Sequence, residues 1–167
     1  MVGYSGTPLP QKLGIKPQSK LGLWAAPADF AHTLGALPTG VTISDVARGT
    51  SLLDVMVCFV STYAQLEKTL PRAQARLEPS GGLWICWRKK SAVKAADILS
   101  DVTEDDIRNL ALRSGLVDNK VCAVDTIWSG LRLVVRLRDR PAKPAPAPAP
   151  KTSRKTVKRT VMPRRKP

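Results

Sequence analysis

Between Leu52 and Trp87 the spacing of apolar residues changes twice, and each change marks a new element. Leu52–Val60 is apolar at nearly every position, the pattern of a strand buried on both faces, as a central parallel strand must be. Thr62 and Gln65 then match a capping box, and Leu66, Leu70, Ala73 and Leu77 recur at helical spacing. Pro71 falls inside this helix and predicts a kink, or two helices with Pro71 in the first turn of the second. Pro79-Ser80-Gly81-Gly82 predicts a turn, and Leu83–Trp87 a second buried strand. Strand, helix and strand form one βαβ unit, which puts the chain in the α/β class.

The flanks extend this unit. Residues 1–19, rich in Gly, Pro and Lys, predict an irregular arm with a short turn around Leu9 to Leu13. Lys20–Ala25 reads as the first strand, Asp29–Leu34 as a short helix ended by Gly35, and Val41–Ser44 as the second strand. Thr103 and Asp106 cap a later helix, with Val102 and Ile107 placed as a hydrophobic staple and Gly115 as its end. Lys120–Val124 and Leu131–Leu137 are joined only by a turn, so the final strand should run antiparallel. On that strand Arg132, Arg136 and Arg138 alternate with Leu133, Val135 and Leu137, which makes one face basic. Either a helix is missing on that side or the arginines reach solvent along their stems.

Charge separates the chain into regions. The 167 residues carry a formal net charge of +14. Nine basic residues and no acidic one lie from Pro141 to Pro167, which leaves +5 for residues 1–140. The expected organisation is an α/β domain over 1–140, a Pro/Ala linker over 141–150 and a disordered basic tail over 151–167. Cys58, Cys86 and Cys122 lie in apolar runs without CxxC spacing, and His32 is the single histidine. That argues against a disulfide scaffold or a metal site and fits a reducing cytoplasm. The first residues hold no apolar run resembling a signal peptide, and no segment approaches a membrane span.

The stretch LEPSGGLWICW and the closing hairpin resemble the methyltransferase-type Rossmann superfamily. More narrowly, Gly3–Lys16, Leu52–Trp87 and Lys120–Val134 resemble an uncharacterised bacterial family, domain of unknown function 3052. The resemblance covers about residues 3–137 and implies a three-layer, mostly parallel sheet of about six strands in the order 2-1-3-4-6-5, the last antiparallel. It supplies no activity. In such sheets a ligand binds beyond the carboxyl ends of the strands, at the switch point between strands 1 and 3. The implied rim comprises Ala26–Asp29, Asp45, Ser61–Tyr63, Trp87–Lys90 and the hairpin tip Asp125–Ser129.

Each candidate on that rim has a plainer reading beside it. A cofactor loop after strand 1 needs glycines, but AAPADF has none and Pro27 lacks a donor; the sequence therefore argues against adenosylmethionine or a dinucleotide. Asp29, Asp45 and Thr62 stand where a cofactor would be held. Arg88, Lys89 and Lys90, with Lys94 nearby and Trp87 and Trp128 on the same rim, suit a phosphate and a stacked base. A solvated loop with tryptophans packed at the domain edge is the simpler account. Asp125 and Ser129 suit a turn better than catalysis, since no nucleophile is paired with a base. No catalytic residue or metal ligand is assigned.

Lys151, Arg154, Lys155, Lys158, Arg159, Arg164, Arg165 and Lys166 form a candidate polyanion-binding tail, with nucleic acid the first partner and a membrane surface the last. The leading expectation is a non-enzymatic or degenerate methyltransferase-like domain that recognises a protein partner or small anion, with a nucleic-acid-binding tail. The alternative is a divergent methyltransferase-like or nucleotide-dependent transferase that uses the rim.

Overall fold

The computed structural model describes residues 6–142; the tail expected over 151–167, and all but the first two residues of the linker expected over 141–150, lie outside the described residues. Six strands form one sheet in the order β2-β1-β3-β4-β6-β5. They are β1 (Lys20–Trp24), β2 (Thr42–Asp45), β3 (Leu53–Phe59), β4 (Leu77–Arg88), β5 (Leu116–Ala123) and β6 (Trp128–Val135). The first four run parallel, and β6 is antiparallel to both β4 and β5. The expected order and the antiparallel close are therefore present.

Alternation along β3 and β4 assigns the two faces. Met56, Cys58, Leu83, Ile85 and Trp87 point to one side, where α3 (Tyr63–Ala75) and α5 (Glu104–Arg113) cover them with Leu66, Leu70, Ala73, Ile107 and Ala111. Val55, Val57, Phe59, Trp84 and Cys86 point to the other. That side is covered by α1 (Leu9–Lys12), α2 (Phe30–Leu34) and the arm, which contributes Leu13 and Ile15. The Trp84 indole donates to the Leu13 carbonyl at 3.0 Å. The arm is thus a core element.

The helix ends follow the capping chemistry. Thr62 and Thr103 each accept from the backbone three residues on, and Gln65 and Asp106 return the bond, completing both boxes. Val102 and Ile107 are both buried in the same cluster. Pro71 does not divide α3. Its ring lies on the exposed side while Leu66, Leu70 and Ala73 keep one continuous buried stripe, so packing holds the helix through the missing donor.

Three expectations about strand limits are corrected. Pro79-Ser80-Gly81-Gly82 lies inside β4, as a bulge: Leu53 pairs with Leu77 and Val55 with Gly82, so two steps in β3 face five in β4. A Cβ at Gly81 would stand 2.7 Å from the Asp54 carbonyl oxygen, which explains the glycine. β5 begins at Leu116, ahead of the expected Lys120. β6 stops at Val135, and Leu137–Asp139 turns as a 3-10 segment, so of the alternating arginines only Arg132 belongs to the strand.

The β2–β3 connection has no helix. Arg76, at the end of α3 and only 9% exposed, secures it: Nη1 donates to the carbonyls of Asp45, Val46 and Arg48, while Nε and Nη2 donate to that of Ser51. No helix among the described residues is long and apolar enough to cross a membrane.

If the arm is core, Leu13→Ala should cost about 2–5 kcal/mol, as for a buried leucine elsewhere. Urea denaturation measures it, and a loss below about 0.5 kcal/mol would mark the arm as a surface appendage.

Candidate functional site at the carboxyl rim

The four parallel strands present their carboxyl ends on one side of the sheet, where the segments after β3 and β4 meet the β5–β6 hairpin. Arg88 pairs with Trp128 across β4 and β6; its guanidinium lies 4.5 Å from the Trp128 ring centroid, and its Nε donates to Ser61 Oγ at 3.4 Å. The Lys89 N–H donates to the Ile127 carbonyl at 2.8 Å, and its Nζ to the Asp125 carbonyl at 2.6 Å. Asp125 Oδ1 accepts from the N–H of both Ile127 and Trp128 at 2.7 Å, the turn role that the plainer reading assigned it. Ser129 sits in the ladder between Trp87 and Ala123. The expected rim residues of β3, β4 and the hairpin are therefore brought together.

The two tryptophans are not a shared stacking platform. Trp87 is 9% exposed and packs on the helical side, whereas Trp128 is 6% exposed and packs on the arm side, edge-on to Phe59 at 5.0 Å. Consecutive residues of a strand face opposite ways, and their ladder partners follow.

A cavity of about 690 Å³ opens beside the end of β4, one strand over from the switch point between β1 and β3. Its lining includes Trp87, Lys90, Lys94, Ser100, Asp101 and Thr103. Two features here escaped the sequence reading. Lys90–Ala96 is a helix, α4, for which the Ala-rich run KSAVKAA was the available signal. Asp101 fastens the segment before α5 to the rim: its N–H donates to the Ser61 carbonyl, and its Oδ1 accepts the Tyr63 N–H at 2.7 Å. Ser100 Oγ is buried with no partner among the described residues. Of the cations on this side, Arg88 and Lys89 are engaged in building the rim, while Lys90 and Lys94 make no ion pair or side-chain hydrogen bond among the described residues.

The candidate cofactor positions are partly occupied by local duties. Thr62 Oγ1 caps α3, and Asp45 Oδ1 accepts the Ala47 N–H at 2.8 Å. Asp29 stands at the start of α2 without a capping bond. The turn after β1 is made without glycine, because Ala25 adopts φ 50, in the left-handed region. The N–H groups of Ala28 and Asp29 have no acceptor among the described residues.

Burial governs the thiols. It pushes Cys58 up to about 12 and Cys86 well above its ordinary value, and it also raises half-buried Cys122, against the pull of Lys120 and Lys12. A protonated thiol is a poor nucleophile. Among the described residues no group of three or more His, Cys, Asp or Glu is placed to hold a metal ion.

No family model matches the chain, and no curated protein matches it in sequence. Solved structures do. Magnesium protoporphyrin IX methyltransferase from Synechocystis PCC 6803, with bound SAH, is 11% identical, has a TM-score of 0.49, and is matched over 73% of this chain and 76% of its own. Ribosomal protein L11 methylase from Lactobacillus delbrueckii subsp. bulgaricus is 11% identical at a TM-score of 0.49, over 77% and 75%. The N-methyltransferase NodS from Bradyrhizobium japonicum WM9, in complex with S-adenosyl-L-homocysteine, is 13% identical at 0.48, over 75% and 82%. The chain's own strand order, 2-1-3-4-6-5 with an antiparallel close, is that of a methyltransferase-like α/β sheet. These likenesses describe architecture alone.

The expectation against adenosylmethionine is corrected. Solved structures of similar architecture hold bound SAM or SAH. The physical premise also fails, because Ala25 supplies the left-handed turn and Ala28 and Asp29 present bare donors despite Pro27.

The thiol environments make a testable pattern. At mildly alkaline pH iodoacetamide should modify Cys122 in the native protein and reach Cys58 and Cys86 only after unfolding, as read by peptide mass. Unfolding releases Cys58 to its ordinary value of 9.0, so the stability linked to its protonated thiol is intact below pH 9 and declines as pH rises towards 12. Native labelling of Cys58 as fast as Cys122 would contradict this burial.

Proposed function

We propose that the chain is a divergent methyltransferase-like domain that binds a small, nucleotide-sized anion beside the carboxyl end of β4, and that its basic extension holds it near nucleic acid. The observation that carries the first part is the cavity of about 690 Å³ with Lys90 and Lys94 on its border and the unpartnered Ser100 Oγ in its wall. Its size falls within the range of small-molecule sites. The two lysines supply charge, and the apolar side of Trp87 and Val102 supplies a surface that excludes water. The reading stops at binding because the nearby acids are engaged: Asp101 accepts from Tyr63, and Glu104 and Asp105 pair with Arg108.

A second reading, a divergent methyltransferase-like transferase, is favoured by the bare N–H groups of Ala28 and Asp29 at the turn after β1. The narrower likeness to the uncharacterised bacterial family belongs to this proposal and brings no reaction with it. Cytoplasmic residence is inferred likewise, from three cysteines that remain free.

Thermal shift separates the readings. Inorganic phosphate, AMP and ATP, at a hundredfold over the dissociation constant, should stabilise by about 2.7 kcal/mol, several degrees in Tm. Lys90→Ala/Lys94→Ala should remove the effect. A shift from adenosylmethionine or adenosylhomocysteine that survives this double substitution would favour the transferase instead. No shift from any compound would sink both.

The tail rests on composition: nine basic residues and no acid after Arg140. Engaging about six phosphates should give a log–log salt slope near −5 on duplex DNA. Changing the nine to Gln in the full chain should make the slope markedly shallower. An unchanged slope would remove the tail from the account.

A further inference from the structure

Arginines on the two faces of the domain have opposite surroundings. On the helical side Arg108 meets three carboxylates, Glu104 at 2.6 Å, Asp105 at 3.0 Å and Asp118 at 3.2 Å. On the arm side Arg132 meets none among the described residues. It stands opposite Lys120 in the β5–β6 ladder, with their backbones about 5 Å apart. Like charges so placed destabilise a sheet.

The half-buried Arg132 guanidinium lies in the recess above Gly82, where a Cβ would come within 2.5 Å of its Nε. Its hydrogen-bond partner is Asn119 Oδ1, at a long 3.4 Å. Lys120 Nζ donates to the Lys12 carbonyl at 2.9 Å, and the charges of Lys120 and Lys12 both act on Cys122, so Lys12 is a third cation on this side. Arg140 is fixed by a 3.1 Å bond from its Nε to the Val135 carbonyl. Burial first, and then the charge of Arg140, lowers the pKa of Arg132. Among the described residues no carboxylate lies within 4 Å of any of these four side-chain cations.

Gathering three further cations near a half-buried guanidinium is unfavourable until an anion joins them. The chain leaves this cluster at Arg140 and continues into the acid-free basic extension. We propose that Lys12, Lys120, Arg132 and Arg140 form a nucleic-acid-binding surface that takes the sugar–phosphate backbone and extends the tail's contact onto the folded domain. Contacts of this kind position a duplex without reading its sequence. The inference shares with the reading of the tail only the identity of the polyanion.

Fluorescence anisotropy of the full chain on a short labelled duplex, over a salt series, tests it. Lys120→Gln/Arg132→Gln should make the log–log salt slope shallower by about 2, and Lys120→Arg/Arg132→Lys should restore it. Lys12→Gln/Lys120→Gln, which spares the half-buried arginine, should likewise cost about 2. An unchanged slope in both neutral pairs would overturn the surface, as would equal losses in the neutral and charge-keeping pairs. The protein with all nine tail cations changed to Gln should keep residual, salt-dependent binding. Loss of all binding there would refute the surface and leave the tail reading standing; a flat response to the tail change with a loss from the face pairs would do the reverse. Poly-glutamate competing as well as DNA would overturn the assignment to nucleic acid.

Discussion

Trp84 lies at the centre of the sheet with no exposed surface, and its indole N–H must find an acceptor there, since an unmet donor away from water costs about 1–3 kcal/mol. The acceptor is the Leu13 carbonyl, 71 positions earlier in the chain. This bond helps fix the arm across the middle of β4 and seat Leu13 and Ile15 beside Leu21, Phe30 and Leu34. Longer helices close the other face, so the two covers are unequal in extent. The outer part of the arm face, over β5 and β6, keeps a half-buried arginine and an exposed lysine where a fully covered sheet would hold aliphatic residues.

The carboxyl rim shows a similar division of labour. Arg88 and Lys89 leave β4 side by side, yet one lies over the Trp128 ring and the other ties the hairpin tip through Asp125. Their positive charge serves the architecture before it serves a ligand. Asp101 does the same from the far side by bonding Ser61 and Tyr63. The framework around the cavity is therefore stapled by polar groups, and the lysines of α4 carry the uncommitted charge.

Much of this was legible in the sequence, because period and capping are local properties. The run Leu52–Val60, the Thr62–Gln65 and Thr103–Asp106 boxes, and Gly35 as a helix end each declare themselves within a few residues. Strand order followed from resemblance, and the antiparallel close from a short connection. What was hidden depends on partners far along the chain. Pro71 is tolerated because of packing on its opposite side, and Pro79–Gly82 is accommodated by a bulge against β3. The turn after β1 showed no glycine, but nothing local revealed that Ala25 would take the left-handed conformation itself. The direction of each tryptophan was set by alternation, a rule the sequence contains but that rim adjacency obscured.

Arg76 carries one further implication. A parallel crossover ordinarily spends a dozen or more residues, most of them helical, on its return to the sheet. Here residues 46–52 make the return, and one planar guanidinium gathers three of the carbonyls along it together with that of Asp45, the last residue of β2. Lysine has the charge but lacks the rigid fork, so the two side chains are not equivalent at this position. A single side chain has taken over the work of a missing helix, and the domain is correspondingly small.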